Sequence, residues 1–132
     1  MVLFEYEIKE SALNGLGVFT KENIKKGKRL FQASPKLDTE ISAEEFEKLD
    51  DREKREFIHY GYLDKRVGTY KLDFSVALRF LNFSKNGNCN QDPDVIGTCL
   101  TANRDIKAGE EITFNYFEVM NEEHFQQGFN PK

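Results

Sequence analysis

Side chains alternate from the first residues, with Val2, Phe4, Tyr6 and Ile8 set against Leu3, Glu5, Glu7 and Lys9, a period of two that predicts a half-buried strand. Asn14-Gly15 marks a tight turn. Short strands are predicted at 17–20 and 29–34, on either side of the Lys25-Lys26-Gly27-Lys28 turn and ended by Pro35. The period then changes. Ser42 with Glu45, and Asp50 with Glu53, are capping boxes, and Phe46, Leu49, Phe57 and Ile58 supply apolar stripes. They predict helices over about 43–49 and 51–60, closed by Gly61. Strands return at 62–64 and 69–73 around a Lys65-Arg66-Val67-Gly68 hairpin, and again at 95–102 and 111–117, joined through the turn Asp105 to Gly109. Residues 118–127 carry helical spacing at Val119, Met120 and Phe125. No internal repeat is expected, and many short strands with one helical insertion define an α+β fold, mostly β.

Composition narrows the class of protein. At 132 residues the chain is expected to form a single domain with one real core. Cys89, Cys99, His59 and His124 have no zinc-ligand spacing, so no metal is expected. No apolar run has the length of a membrane helix, and the start of the chain lacks the basic-then-apolar order of a secretory signal. A cytoplasmic protein with reduced thiols, not bound to a membrane, is the expectation, or a nuclear one if the source is eukaryotic. The net charge of −4 provides no basic stripe, so direct nucleic-acid binding is not expected either. Aromatic residues are abundant, 12 Phe and 5 Tyr without Trp, and most of them are expected in the core. The charges at i,i+4 on the helices, such as Glu44 with Lys48, belong to a solvated face.

Three segments carry the candidate chemistry. They are Asn14-Gly15-Leu16-Gly17-Val18-Phe19, then Arg79-Phe80-Leu81-Asn82-Phe83-Ser84-Lys85-Asn86-Gly87-Asn88, then Arg104-Asp105-Ile106 through Gly109-Glu110-Glu111-Ile112-Thr113-Phe114-Asn115-Tyr116. Read singly, each has an ordinary structural explanation. Gly15-Leu16-Gly17 is a hairpin turn or a loop whose backbone approaches a ligand. Asn82, inside an apolar run, is a satisfied core amide or a ligand contact. Tyr116 is a strand-end tyrosine or a reactive-site hydroxyl, and Phe114, two residues earlier on one strand, shares its face.

In this order and at these distances the segments resemble the SET domain, the fold of S-adenosylmethionine-dependent protein-lysine methyltransferases, over about residues 2–117. The resemblance implies several short twisted sheets, a pseudoknot-like threading of the C-terminal part, a helical insertion at about 42–60 and a tail at 118–132. It also implies a small free-standing domain without flanking zinc-binding segments. S-adenosylmethionine would be the cofactor, contacted by Leu16 and Gly17 through the main chain, by Asn82, by the backbone of Phe83 and by Tyr116. Tyr116 would be the catalytic tyrosine, with Tyr70 as a second, unless Tyr70 simply pairs across its hairpin. Phe114, Tyr70 and Phe117 would line the channel for the substrate lysine, and phenylalanine at 114 would leave room for di- or trimethylation.

This chain departs from the family's usual motif by Phe83 for His, Lys85 for Cys and Gly87 for Pro. Gly87 is expected to loosen the turn. No cysteine cluster follows Tyr116, so Phe117, Phe125 and Phe129 would cover the channel or dock the tail. The partner implied is a protein presenting a lysine, including a basic, histone-like segment attracted by the acidic helices and tail. Lys25, Lys26, Lys28 and Arg29 form the notable cationic patch. The other readings are a catalytically silent SET-fold module that binds a peptide and an interaction domain unrelated to methylation.

Overall fold

The computed structural model describes residues 1–122. In chain order its strands are β1 Tyr6–Glu10, β2 Leu16–Thr20, β3 Arg29–Gln32, β4 Thr39–Ser42, β5 Tyr62–Asp64, β6 Thr69–Leu72, β7 Asn82–Phe83, β8 Cys89–Gln91, β9 Cys99–Ala102 and β10 Glu111–Phe114. Two α-helices, α1 Ala43–Glu47 and α2 Asp51–Tyr60, lie between β4 and β5, and 3-10 turns occupy Val76–Phe80 and Tyr116–Glu118. Mostly β with few helices, this is the expected fold class. No helix among the described residues is long and apolar enough to cross a membrane. The chain divides into two compact units, Met1–Ala33 with Ser75–Asn115, and Ser34–Phe74 with the described residues from Tyr116 onward.

The first unit is a seven-stranded sheet in the order β1-β2-β10-β8-β9-β3, with β7 also paired to β10. Its last strand is therefore surrounded by earlier chain: β10 runs antiparallel to β2 and parallel to both β7 and β8. The core is made of side chains that alternate inward from these strands and from their linking turns, among them Val18, Ile24, Leu30, Phe31, Leu100, Ile106 and Ile112. Near the N-terminus, regular pairing starts only at Tyr6. Before it, Val2 makes a single bridge to Phe31, and Phe4 is buried edge-on against the Phe31 ring at 5.6 Å.

An internal repeat is present, contrary to the expectation from the sequence. Asn23-Ile24-Lys25-Lys26-Gly27 and Asp105-Ile106-Lys107-Ala108-Gly109 are the same turn 82 positions apart, and they bond to each other reciprocally. Ile24 N–H donates to Ile106 O at 2.7 Å and Ile106 N–H to Ile24 O at 2.8 Å. Lys26 N–H donates to Asp105 Oδ1 at 2.8 Å, while Ala108 N–H donates to Asn23 Oδ1 at 3.0 Å. Each turn is closed against the other half in the same way, Gly27 N–H to Ala102 O and Gly109 N–H to Thr20 O. The glycines have φ of 94° and 93°, which an L side chain resists. The strands leaving the turns obey the same relation, with Arg29 opposite Thr101 and Glu111 opposite Phe19. Only the pattern Ile-Lys-x-Gly survives in the sequence, too short to register as a repeat without the pairing.

Other boundaries moved for local reasons. The strand expected at 95–102 begins at Cys99, because the loop before it is wound around Gln91, whose Nε2 donates to Asp92 O, Val95 O and Gly97 O. The strand expected at 111–117 ends at Phe114. Three strands carried no readable alternation: β7 and β8 are two and three residues long, and β4 contains a single large apolar residue, Ile41.

The second unit pairs β4-β6-β5 into an antiparallel sheet. Both capping boxes form as predicted, Ser42 with Glu45 and Asp50 with Glu53. The first helix stops at Glu47, two residues short of expectation. Asp64, fully buried, ends β5 and accepts from the backbone, Nε and Nη2 of Arg66, which fixes the predicted hairpin into β6. Lys71, also buried, is paired with Glu40 across the β4–β6 ladder. The helical expectation for 118–127 meets a 3-10 turn at its start, and Phe125 and Phe129 lie outside the described residues.

Candidate active site

The glycine-bearing loop, β7 and β10 meet at one polar cluster in the first unit. Ser11 N–H donates to Gly15 O at 2.8 Å, closing the loop, and Gly15 adopts φ 47°. Into this loop reaches Asn82, which is 7% exposed. Its Nδ2 faces three oxygens, Asn14 O at 3.1 Å, Leu16 O at 3.1 Å and Glu111 Oε2 at 2.7 Å. The other oxygen of that carboxylate, Oε1, accepts from Ser11 Oγ at 2.7 Å. Gly17 is glycine for a direct reason: a Cβ there would collide with Glu111 Oε2 and stand 3.1 Å from Asn82 Nδ2. The missing side chain makes room for a carboxylate of the protein itself. Leu16 projects outward from this loop, 44% exposed.

The amide of Asn82 is thus fully engaged on one side and open on the other. Among the described residues no donor reaches its Oδ1, and because no buried side-chain oxygen lacks a partner, that oxygen is in reach of solvent. An acceptor on an almost buried, oriented side chain is what a cationic or N–H-bearing ligand requires. Phe83 follows in β7 and lies in parallel register with Phe114 of β10. Ser84 N–H donates to Phe114 O at 3.0 Å, extending that pairing past the strand.

Two neighbours, neither among the predicted site residues, set the position of β10. Asn88, 3% exposed, donates from Nδ2 to Glu111 O at 2.8 Å and accepts from Thr113 N–H at 3.0 Å. Its side chain takes the place of a neighbouring strand. Gly87 does not loosen the turn: a Cβ would stand 2.6 Å from Thr113 O and 2.8 Å from Phe114 Cα, so glycine permits the segment to press onto the β10 backbone. Asn88 and Glu111 both lie inside the quoted motifs, but alternation alone reads them as turn and strand. Ser11 carries no signal in the sequence.

The remaining predicted residues belong to the second unit. Tyr70, on β6, stacks on Phe46 of α1 at 3.8 Å between ring centroids and 4° between planes, with Phe57 of α2 edge-on to both rings. Burial, with Glu47 adding to it, raises the Tyr70 hydroxyl above the ordinary tyrosine pKa, so it stays protonated near neutrality. Tyr116 opens the 3-10 turn, and its carbonyl accepts from both Val119 and Met120 N–H at 3.0 Å. Alternation with Phe114 along one strand therefore does not hold, since the ladder ends at Phe114 and the chain coils at Tyr116. Phe117 is tied through its carbonyl to Lys65 Nζ.

Comparison with known proteins gives the frame for this geometry. The SET domain family model matches residues 15–117, and the chain belongs to that family. The family's enzymes are protein-lysine N-methyltransferases with S-adenosylmethionine as cofactor. No curated protein matches by sequence. Among solved structures, the chain is similar to a Plasmodium falciparum protein assigned to the histone methyltransferases, at 23% identity and TM-score 0.59, covering 87% of this chain and 95% of that one. It is similar to a chain of a humanized mutant of the Chaetomium thermophilum Polycomb Repressive Complex 2 bound to an inhibitor, at 26% identity and TM-score 0.65, covering 91% of this chain. The same complex bound to S-adenosylmethionine matches at 24% identity and TM-score 0.63. This chain spans 16% of the length of those Polycomb chains.

The residues present fit the methionine end of S-adenosylmethionine. That end carries an ammonium, and the cluster offers it the open Oδ1 of Asn82, whose Nδ2 is held on the other side by the Glu111 carboxylate and the carbonyls of Asn14 and Leu16.

Proposed function

We propose that this chain transfers a methyl group from S-adenosylmethionine to the side-chain amine of a lysine in a protein substrate. The observation that carries the reading is Asn82, an almost buried amide held on one side and open on the other within a SET fold. Leu16 and Gly17 through the main chain, and Asn82 through Oδ1, hold the methionine end, while the backbone of Phe83 meets the adenine. When bound, the cofactor supplies a methyl group on a positively charged sulfur. Transfer to a neutral amine creates no new ion pair, so the chain's task is orientation, which is worth several kcal/mol of barrier, up to ~10 in the best-aligned cases.

Tyr116 performs that task by accepting from and aiming the incoming amine through its hydroxyl. Phe114, at the end of β10, is the residue proposed to line the lysine channel. A free lysine has a pKa of about 10.4, and a dry aromatic wall favours its neutral form. Phenylalanine at 114 adds no hydroxyl to hold a water in the channel, which leaves space for a second and third methyl group. The Chaetomium complex has been solved with histone H3 peptides, and a basic, histone-like segment is the substrate class proposed for this chain.

Calorimetric titration with S-adenosylmethionine, followed by transfer of labelled methyl to lysine-containing peptides and cell extracts, tests the reading. Binding and labelled lysine are expected, and Tyr116→Phe is expected to lower transfer by about 10²-fold or more while binding persists. Absence of both heat and label would refute the enzyme and favour a silent peptide-binding module.

A further inference from the structure

We propose that Glu111 is a positioning residue for cofactor binding: its carboxylate orients the amide of Asn82, so that Oδ1 faces the ammonium of the methyl donor. The inference rests on the proposed use of S-adenosylmethionine, and it concerns a residue to which the sequence motifs gave no role beyond its strand.

An asparagine side chain has two ends of similar shape and opposite polarity, and only its neighbours decide which end faces a ligand. At Asn82 the decision is made by three acceptors gathered at one point. Two are backbone carbonyls of the loop, Asn14 O and Leu16 O, each 3.1 Å from Nδ2. The third, Glu111 Oε2, is the nearest at 2.7 Å and carries charge, so it makes the strongest of the three bonds. No amide oxygen can take the place of Nδ2 there, because it would face three oxygens without a hydrogen between them. Oδ1 is thereby turned away from the loop as the acceptor on the open side.

Glu111 is itself held. Ser11 Oγ donates to Oε1 at 2.7 Å, and the same Oγ accepts from Leu13 N–H at 2.9 Å, which ties the carboxylate to the loop that leads into β2. Its backbone is fixed on both sides, by register with Phe19 of β2 and by the Asn88 amide on its carbonyl. Gly17 leaves the corridor through which the carboxylate passes. Loop, strand and amide are thus locked together by one side chain, and an error in any of them would be felt at Oδ1.

The test uses the whole chain and two probes, S-adenosylmethionine and 5′-methylthioadenosine, which shares the adenosine and thioether but lacks the amino-acid end. Glu111→Leu removes the charged acceptor and leaves Nδ2 only the two backbone carbonyls, Asn14 O and Leu16 O; it is expected to weaken S-adenosylmethionine by about tenfold or more, with methylthioadenosine changed less than about twofold. Glu111→Gln still offers Asn82 one amide oxygen and is expected to retain most of the affinity. Ser11→Ala, a milder change that leaves the carboxylate present, is expected to fall between wild type and Glu111→Leu, and serves if Glu111→Leu does not fold.

Equal weakening of both probes by Glu111→Leu would reduce Glu111 to a structural support and overturn the inference. Equal loss in Glu111→Gln and Glu111→Leu would assign a role to charge instead of orientation and overturn it as well, as would wild-type affinity in Glu111→Leu or in Ser11→Ala. If the wild-type chain binds neither probe, the proposed function itself has failed, a result distinct from all of these.

Discussion

Asn88→Ala is the substitution that most directly tests how the last strand is held. The side chain is 3% exposed and makes two bonds to β10, from Nδ2 to Glu111 O at 2.8 Å and to Oδ1 from Thr113 N–H at 3.0 Å. Alanine leaves both backbone groups without a partner on that side, at about 1–3 kcal/mol for each group when fully buried. Glu111 and Thr113 are half-buried, so water recovers part of this, and the low half of the range applies, about 2–4 kcal/mol in total. Against a total stability on the order of 5–15 kcal/mol, that is a large fraction. The melting temperature should fall by roughly 10 °C for a chain of this size.

Urea unfolding measures the loss, and amide hydrogen exchange at Thr113 locates it. Asn88→Asp adds an internal control. Its ionised carboxylate can accept from Thr113 but opposes the Glu111 carbonyl, whereas the protonated acid makes both bonds, so the native state raises its pKa. A raised native pKa means stability present at low pH and lost as pH rises through that value. Asn88→Asp should therefore gain on wild type as the solution is acidified. A loss below about 0.5 kcal/mol in Asn88→Ala, or unchanged exchange at Thr113, would refute the reasoning.

Gly87→Ala should cost about 2 kcal/mol or more, because the added carbon meets backbone atoms of Thr113 and Phe114 that cannot rotate away; a stability within error of wild type would show that the segment does not press on β10. Phe114→Tyr should shift the product toward monomethyl-lysine, read by mass spectrometry of a modified peptide, and an unchanged distribution would sink the assignment of Phe114 to the channel. Acid should destabilise the chain. Glu40, paired first with buried Lys71, and Glu110, bonded first to Lys107 N–H, both have native pKa values lowered from an ordinary 4.5. A lowered native value means that their contribution is complete above that ordinary value and is lost as pH falls below it. The urea midpoint should drop between about pH 5 and pH 3, and a flat profile would contradict it.

Local chemistry was written plainly in the sequence. Both capping boxes and the Asp64–Thr69 hairpin formed where the residues demanded, because each depends on contacts a few positions apart. The three motifs led to the family for the same reason, being short strings with fixed spacing. Residues whose neighbours are distant in the chain carry no such local signal. Tyr116 appeared to continue a strand that ends at Phe114, and Gly87 appeared loose although it is pressed against a backbone 26 positions away.

What the sequence alone determined was therefore the class of fold, the starts of its two helices and the residues worth watching. Only tertiary structure decided that Gly17 leaves room for Glu111, that Asn88 substitutes for a strand, and that two turns 82 residues apart are partners. The physical reason is common to all three. A hydrogen bond or a close approach acts over about 3 Å in space, and no period along the chain records which distant segment the fold will bring to that distance.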